Sequence, residues 1–289
     1  MTQELYEKIL EGALNDLPPL DETNLYDICE APKTFNLPMT GYADAQISVL
    51  HLLALTGGLH LVPSPILNSG KALRHQDSIG RNIYHFAAAS GHLNQLQELS
   101  IRRLCNNSNH PYTALDYAAA NRHIDQIPNH ILKRAMVIKN KSGHPFITQA
   151  AKFGNLDQLP EELQDPKYFV NREVLHQNSV YKNLASIPKK LLTKEILEFK
   201  NWSGNTILHE VAKIGGKLPD IDLTLLLMPN TRGKTALKTL MDRNHINTII
   251  DRQWPEVFRP IVGDQLWSAN NDLTKPAETV SEAPDIDIF

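Results

Sequence analysis

The chain has 289 residues, 42% of them apolar and 21% charged, enough apolar side chains for one large core, two smaller ones or a continuous elongated one. With 29 Lys and Arg against 32 Asp and Glu, the formal net charge is −3, which excludes a wholesale polybasic nucleic-acid binder but leaves room for a local basic patch. No apolar run reaches the roughly 18–20 residues of a membrane span, and Cys29 and Cys105, alone and far apart, form no disulfide framework, as expected in a reducing compartment.

The first predicted element is a helix capped by Thr2, with Leu5, Tyr6, Ile9, Leu10, Ala13 and Leu14 on one face. Its acids Glu4, Glu7, Glu11 and Asp16 do not fit a signal peptide. Residues 17–40 are punctuated by Pro, so 1–40 is read as an N-terminal cap that shields the first repeat. From 41 to 250 the chain repeats. Anchors stand at His51, His85, Asp116, Thr148, His176, His209 and Lys238, spaced by 34, 31, 32, 28, 33 and 29 residues. Gly80, Gly143, Gly204 and Gly233 lie five residues before their anchors. One residue before them stand Leu50, Tyr84, Leu115, Ile147, Leu175, Leu208 and Leu237. Eight after stand Leu59, Leu93, Ile124, Leu156, Leu184 and Ile246, with Leu218 filling that place after an insertion.

Each repeat predicts a turn followed by a helix. Gly permits positive φ at the turn. Thr206 and Thr235 are placed to cap the helix. The pairs Ala87-Ala88, Ala118-Ala119 and Ala150-Ala151 allow close helix approach, and the Leu column forms a core that no single repeat can bury alone. Pro63, Pro128, Pro160 and Pro188 lie twelve residues after their anchors, so the second helix must be short or restart there. Thr193 is predicted to cap a further short turn. The fifth unit is degenerate, with Glu173 for Gly and Asn178-Ser179 for Ala-Ala. Residues 251–267, holding Trp254, Phe258 and Trp267, are read as a C-terminal cap, and 268–289 as an acidic flexible tail.

At these columns the chain resembles the ankyrin repeat family, whose pattern is roughly G-x-T-P-L-H-x-A-A-x-x-G-H-L. Gly204-Asn205-Thr206-Ile207-Leu208-His209 matches all but the Pro, and Gly233-Lys234-Thr235-Ala236-Leu237 matches without the His. The resemblance covers about residues 41–250. It implies an all-α, ankyrin-type helix-turn-helix solenoid of about seven repeats, and it specifies no function, because the family is defined by its scaffold.

Chemical motifs fail on inspection. His209-Glu210-Val211-Ala212-Lys213 begins like a zinc-protease motif, but Lys213 stands where the second His is required. Gly233-Lys234-Thr235 looks like the end of a P-loop, but Met228 occupies the place of its first Gly. The anchor His residues are one repeat apart and are expected to bond to loop backbone rather than share a metal. No nucleophile elbow is present. The reading is therefore a non-enzymatic protein with no cofactor and no metal.

The resemblance further implies a concave partner-binding face, made by the turn and the exposed end of the first helix. Carried over position by position, its residues are Arg81, Tyr112, Lys141, His144, Lys152, Phe153, Arg172, Tyr181, Trp202, Asn205, Lys213, Lys234 and Arg243. These are types enriched in binding hot spots, with a local positive excess that predicts a protein partner with an acidic surface. Nucleic acid is disfavoured by the interspersed acids, and no membrane association is expected. The short, Pro-punctuated repeats resemble bacterial or phage-associated ankyrin proteins, which implies an inhibitor or adaptor in the cytoplasm of the producing cell or of a host cell. The alternatives are a host-directed effector, a self-assembling scaffold, or an enzyme using the scaffold itself. The ending Asp285-Ile286-Asp287-Ile288-Phe289 resembles the bacterial sliding-clamp peptide, with Asp285 replacing its leading Gln. A tail that folds back on the cap is the preferred reading there. Oligomeric state stays open.

Overall fold

Most of the helices that carry an anchor begin with a short polar residue in extended backbone. In the computed structural model, Ser48, Asn82 and Thr113 each cap a helix and engage the anchor residue three positions later in a capping box. The structure describes residues 3–30, 46–97, 99–105, 110–169, 184–249, 254–264 and 267–268. The chain divides into two compact units, Met1–Val174 and Leu175–Phe289. Among the described residues it is mostly helical.

In the first unit, α1 (Gln3–Leu10) packs on the first repeat helix through buried Leu5 and Ile9. A small antiparallel ribbon comes next, β1 (Ile28–Glu30) against β2 (Gln46–Ser48), with Cys29 opposite Ile47. This two-stranded ribbon is the one sheet among the described residues and is compatible with an all-α class. It ties the N-terminal segment to the first repeat, since the Leu25 carbonyl also accepts from Leu50 N–H at 2.9 Å. The chain continues through α2 (Val49–Thr56), α3 (Ser64–Leu67), α4 (Gly70–Arg74), α5 (Ile83–Ser90), α6 (Ile101–Leu104), α7 (Ala114–Ala120), α8 (Asn129–Ala135) and α9 (Phe146–Phe153).

The packing order is serial: α2 on α5, α5 on α7, α7 on α9. A helix gripped from both sides must be apolar around most of its circumference. Accordingly every residue from Ile83 to Ala89 is buried, as is every residue of α7. The Ala pairs 87–88, 118–119 and 150–151 are fully covered, so the backbones approach closely.

Each of these helices ends in a left-handed residue six places after its anchor: Gly57, Gly91, Arg122 and Gly154. A 3-10 turn follows, and after α2, α7 and α9 a Pro comes next. Pro63, Pro128 and Pro160 each stand directly before a short helical turn, where a missing N–H costs nothing. The second helix is thus broken in two wherever a Pro restarts it. Within this unit, a Gln ten places after the anchor reaches back to the turn that ends the preceding first helix. Gln95 Nε2 donates to Gly57 O (2.6 Å) while its Oε1 accepts from Leu59 N–H (3.0 Å). Gln126 bridges Gly91 and Leu93 in the same way, and Gln158 bridges Arg122 and Ile124.

In the second unit, Pro188 precedes a 3-10 turn and Thr193 caps α10 (Lys194–Glu198). α10 packs on α11 (Ile207–Ile214), which packs on α12 (Ala236–Asp242). Gly215 and Asn244 take the left-handed position. Trp254 and Phe258 are buried ahead of α13 (Arg259–Val262), and the Trp254 indole donates to Ile249 O at 2.8 Å. Arg259 lies over the Trp267 ring, 5.1 Å from its centroid. The degenerate fifth anchor, His176, and the terminal Asp285–Phe289 peptide lie outside the described residues.

Candidate functional site

The turns before the first helices are closed fingers built on an Asp or Asn eight residues before the anchor: Asp77, Asn140, Asn201 and Asn230. Asn201 shows the construction. Its N–H donates to Asn205 O and its carbonyl accepts from Gly204 N–H, both at 2.8 Å. Its side-chain Oδ1 accepts from Ser203 N–H and Asn205 N–H, both at 3.0 Å. The other three fingers repeat these bonds. The loop's polar groups are consumed internally, and the residue after the Asx is forced outward. That residue is Ser78, Lys141, Trp202 or Thr231, and all four are exposed. Trp202 is 98% exposed.

Finger positions are locked to the helices by the anchors. His85 Nδ1 accepts from Asn82 N–H at 3.2 Å, and Nε2 donates to Tyr112 O, in the next turn, at 3.1 Å. His51 reaches His75 O, and His209 reaches Lys234 O, by the same two-sided arrangement. This bonding requires a neutral ring. Burial pushes the His51 and His85 imidazoles down to about 3 and also lowers His209. Asp116 replaces His at the third anchor. Its Oδ2 accepts from Thr113 N–H (2.7 Å) and from Asn140 Nδ2 (3.1 Å). An anchor that donates meets a carbonyl; one that only accepts meets a side-chain amide.

Arg81 requires a correction. It is 2% exposed, not part of an accessible face. Its Nε lies 2.6 Å from Asp77 Oδ2, and its guanidinium sits 4.6 Å from the Phe86 centroid. The cause is the finger's own chemistry. Asp77 spends Oδ1 on the turn, which leaves a second, charged oxygen that needs a cation. Asn140, Asn201 and Asn230 carry no such charge, so the equivalent His144, Asn205 and Lys234 remain partly or fully exposed.

The remaining residues fall into two groups, one in each unit. In the first, Lys141 is exposed, while Tyr112, His144, Lys152 and Phe153 are half-buried. Lys152 Nζ lies 5.5 Å from the Phe153 centroid, and the Tyr112 carbonyl is committed to His85. In the second, the fingers stack. Asn230 Nδ2 donates to Asn205 Oδ1 (2.8 Å), Asn205 Nδ2 donates to Glu210 (2.8 Å), and Thr231 packs where a Cβ on Gly204 would stand. In this unit Trp202, Lys213, Ile214, Lys234 and Arg243 are exposed. Two of the cations are partly neutralised: Lys234 Nζ lies 2.6 Å from Asp242, and Lys213 lies 4.0 Å from Glu210. Arg172 and Tyr181 lie outside the described residues.

The finger Asx and the bridging Gln were not singled out from the sequence. The signal was there: Asx three residues before the turn Gly, and Gln95, Gln126 and Gln158 recurring at 31 and 32 residues. Among the described residues no group of three or more His, Cys, Asp or Glu is arranged to hold a metal, and no helix is long and apolar enough to cross a membrane. No family model matches the chain, and no curated protein was found to match it.

Proposed function

We infer that the chain is an ankyrin-type solenoid and a non-enzymatic interaction module, acting as an inhibitor or adaptor in a bacterial or phage setting. The solenoid reading is supported by the serial packing of first helices in each unit and by repeated anchors, fingers and left-handed caps at fixed offsets. The observation that carries the interaction reading is Trp202. A Trp that is 98% exposed contributes nothing to its own fold, yet here it stands on a finger whose backbone is held by four hydrogen bonds. A rigid aromatic is a preferred binding anchor, because ordering it costs little on association.

Around Trp202, the cations Lys213, Lys234 and Arg243 and the partly exposed Ile214 favour a protein partner with an acidic rim and an apolar pocket. In the first unit Lys141, Lys152 and Phe153 offer a similar mixture. The test is co-purification from the native host with wild type, Trp202→Ala and Lys213→Glu/Arg243→Glu. A partner retained by wild type and lost by both variants supports this reading. A partner retained by both but lost on truncation after Ala269 would transfer the site to the tail.

A further inference from the structure

In the first unit, α4, the start of α5 and α6 enclose a cleft of about 320 Å³, and Arg74, Arg102 and Arg103 line it together with Leu73, Asn82 and Ser100. No Asp or Glu lines it. Three guanidinium groups around one small cleft are unusual in a chain whose net charge is −3. The acid that meets α4, Glu22, is already used: it pairs with Lys71 at 2.9 Å. Among the described residues, Arg74 and Arg102 have no ion-pair partner.

Two of the guanidiniums are pre-positioned. Arg74 Nε donates to Gly70 O at 2.9 Å, which leaves its two terminal nitrogens for a ligand. Arg74 Nη2 lies close over Gly70, 2.8 Å from where a Cβ would stand. Arg103 Nη1 donates to Gln97 O at 3.2 Å. A guanidinium presents paired N–H donors in a planar fork that matches the oxygens of a phosphate group. The cleft sits at the lower limit of small-molecule sites, room for one or two phosphate groups and too little for a folded partner.

We propose that this cleft binds a small phosphorylated molecule, with Arg74 and Arg102 as the principal contacts. The site shares no residue with the proposed partner-binding surface. It is tested by calorimetric titration of the full chain with inorganic pyrophosphate at constant ionic strength. Wild type binds saturably at one site, and pyrophosphate raises its melting temperature. Arg74→Ala/Arg102→Ala weakens binding about tenfold or more, the loss of two charge-assisted contacts, while its own melt without ligand stays close to wild type because both side chains are exposed. Arg74→Lys/Arg102→Lys keeps the charge and loses most of the affinity with the fork. The control is Lys133→Ala/Arg134→Ala, an exposed basic pair on α8 that does not line the cleft. Its affinity stays at the wild-type value. Absence of saturable binding in wild type, or equal weakening in the α8 control, would overturn the proposal in favour of diffuse electrostatic attraction.

Discussion

His209 Nε2 donates to the carbonyl of Lys234, 25 residues further on, at 2.9 Å. The other ring nitrogen accepts from Thr206 N–H at 3.2 Å. One imidazole thereby caps its own helix and holds the following finger. His51 and His85 make the same two-sided bonds in the first unit, to His75 O and Tyr112 O, and none of the three can bond this way once doubly protonated.

Acid should therefore loosen the fold well before the carboxylates titrate. The folded values of His51 and His85 lie near 3, below the ordinary 6.5, because both are buried. A depressed value means stability that is complete above pH 6.5 and is lost as pH falls from 6.5 towards 3. Each such His costs about 1.4 kcal/mol per pH unit in that window. Urea midpoints should drop between pH 7.5 and 5, and His85→Ala should be weaker at pH 7.5 with a shallower pH dependence. Equal midpoints at pH 7.5 and 5 in wild type would contradict the neutral, two-sided arrangement.

Gly204 and Gly143 separate backbone strain from inter-unit contact. Both have positive φ, +74° and +83°. A Cβ on Gly143 meets nothing within 4 Å, whereas one on Gly204 would overlap the Thr231 side chain. Gly143→Ala should cost about 1 kcal/mol, the strain of a left-handed non-glycine residue. Gly204→Ala should cost more, and Thr231→Gly should restore part of the difference. Identical losses in thermal melts would mean that the two fingers do not stack as described.

The regular part of this fold was legible because the same residue types recur at fixed offsets from each anchor. Leu and Ala columns follow from the need to bury both faces of each first helix, and the Pro positions dictate where second helices restart. Pro63, Pro128, Pro160 and Pro188 all stand immediately before a helical turn. Hydrogen bonds made to the next repeat left a weaker trace. The Gln bridges depend on which backbone groups successive helices bring together, and the Asx fingers on bonds within one turn, and no hydrophobic period encodes either. Arg81 was misassigned for the same reason. The other described members of its column are partly or fully exposed, and the Asp at position 77 pulls Arg81 inward. The β1–β2 ribbon joins short segments with no alternation long enough to announce a strand.

Leu208 and Trp202 should behave oppositely. Leu208 is fully buried and Trp202 is 98% exposed, six residues apart. Leu208→Ala should destabilise by about 2–5 kcal/mol. Trp202→Ala should leave the melting temperature within about a degree of wild type, because surface substitutions lie near ±0.5 kcal/mol. The measurement is a pair of thermal melts, and the reverse ranking would refute the column assignment.

The Asp77–Arg81 pair predicts a rescue. Arg81→Ala leaves the Asp77 carboxylate buried without its cation, and breaking a buried pair from one side costs about 3–5 kcal/mol. Asp77→Asn alone leaves the guanidinium stranded in its place and should also be harmful. The double change Asp77→Asn/Arg81→His copies the composition of the finger at Asn140 and His144, which closes with the same backbone bonds and no ion pair. It should recover most of the loss, since the turn needs only Oδ1, and the second oxygen exists solely to be neutralised by Arg81. Chemical unfolding of the two single variants and the double gives the coupling directly. Were Arg81 a partner contact, Arg81→Ala would melt like wild type and the double variant would show no recovery, because there would be no buried charge left to relieve.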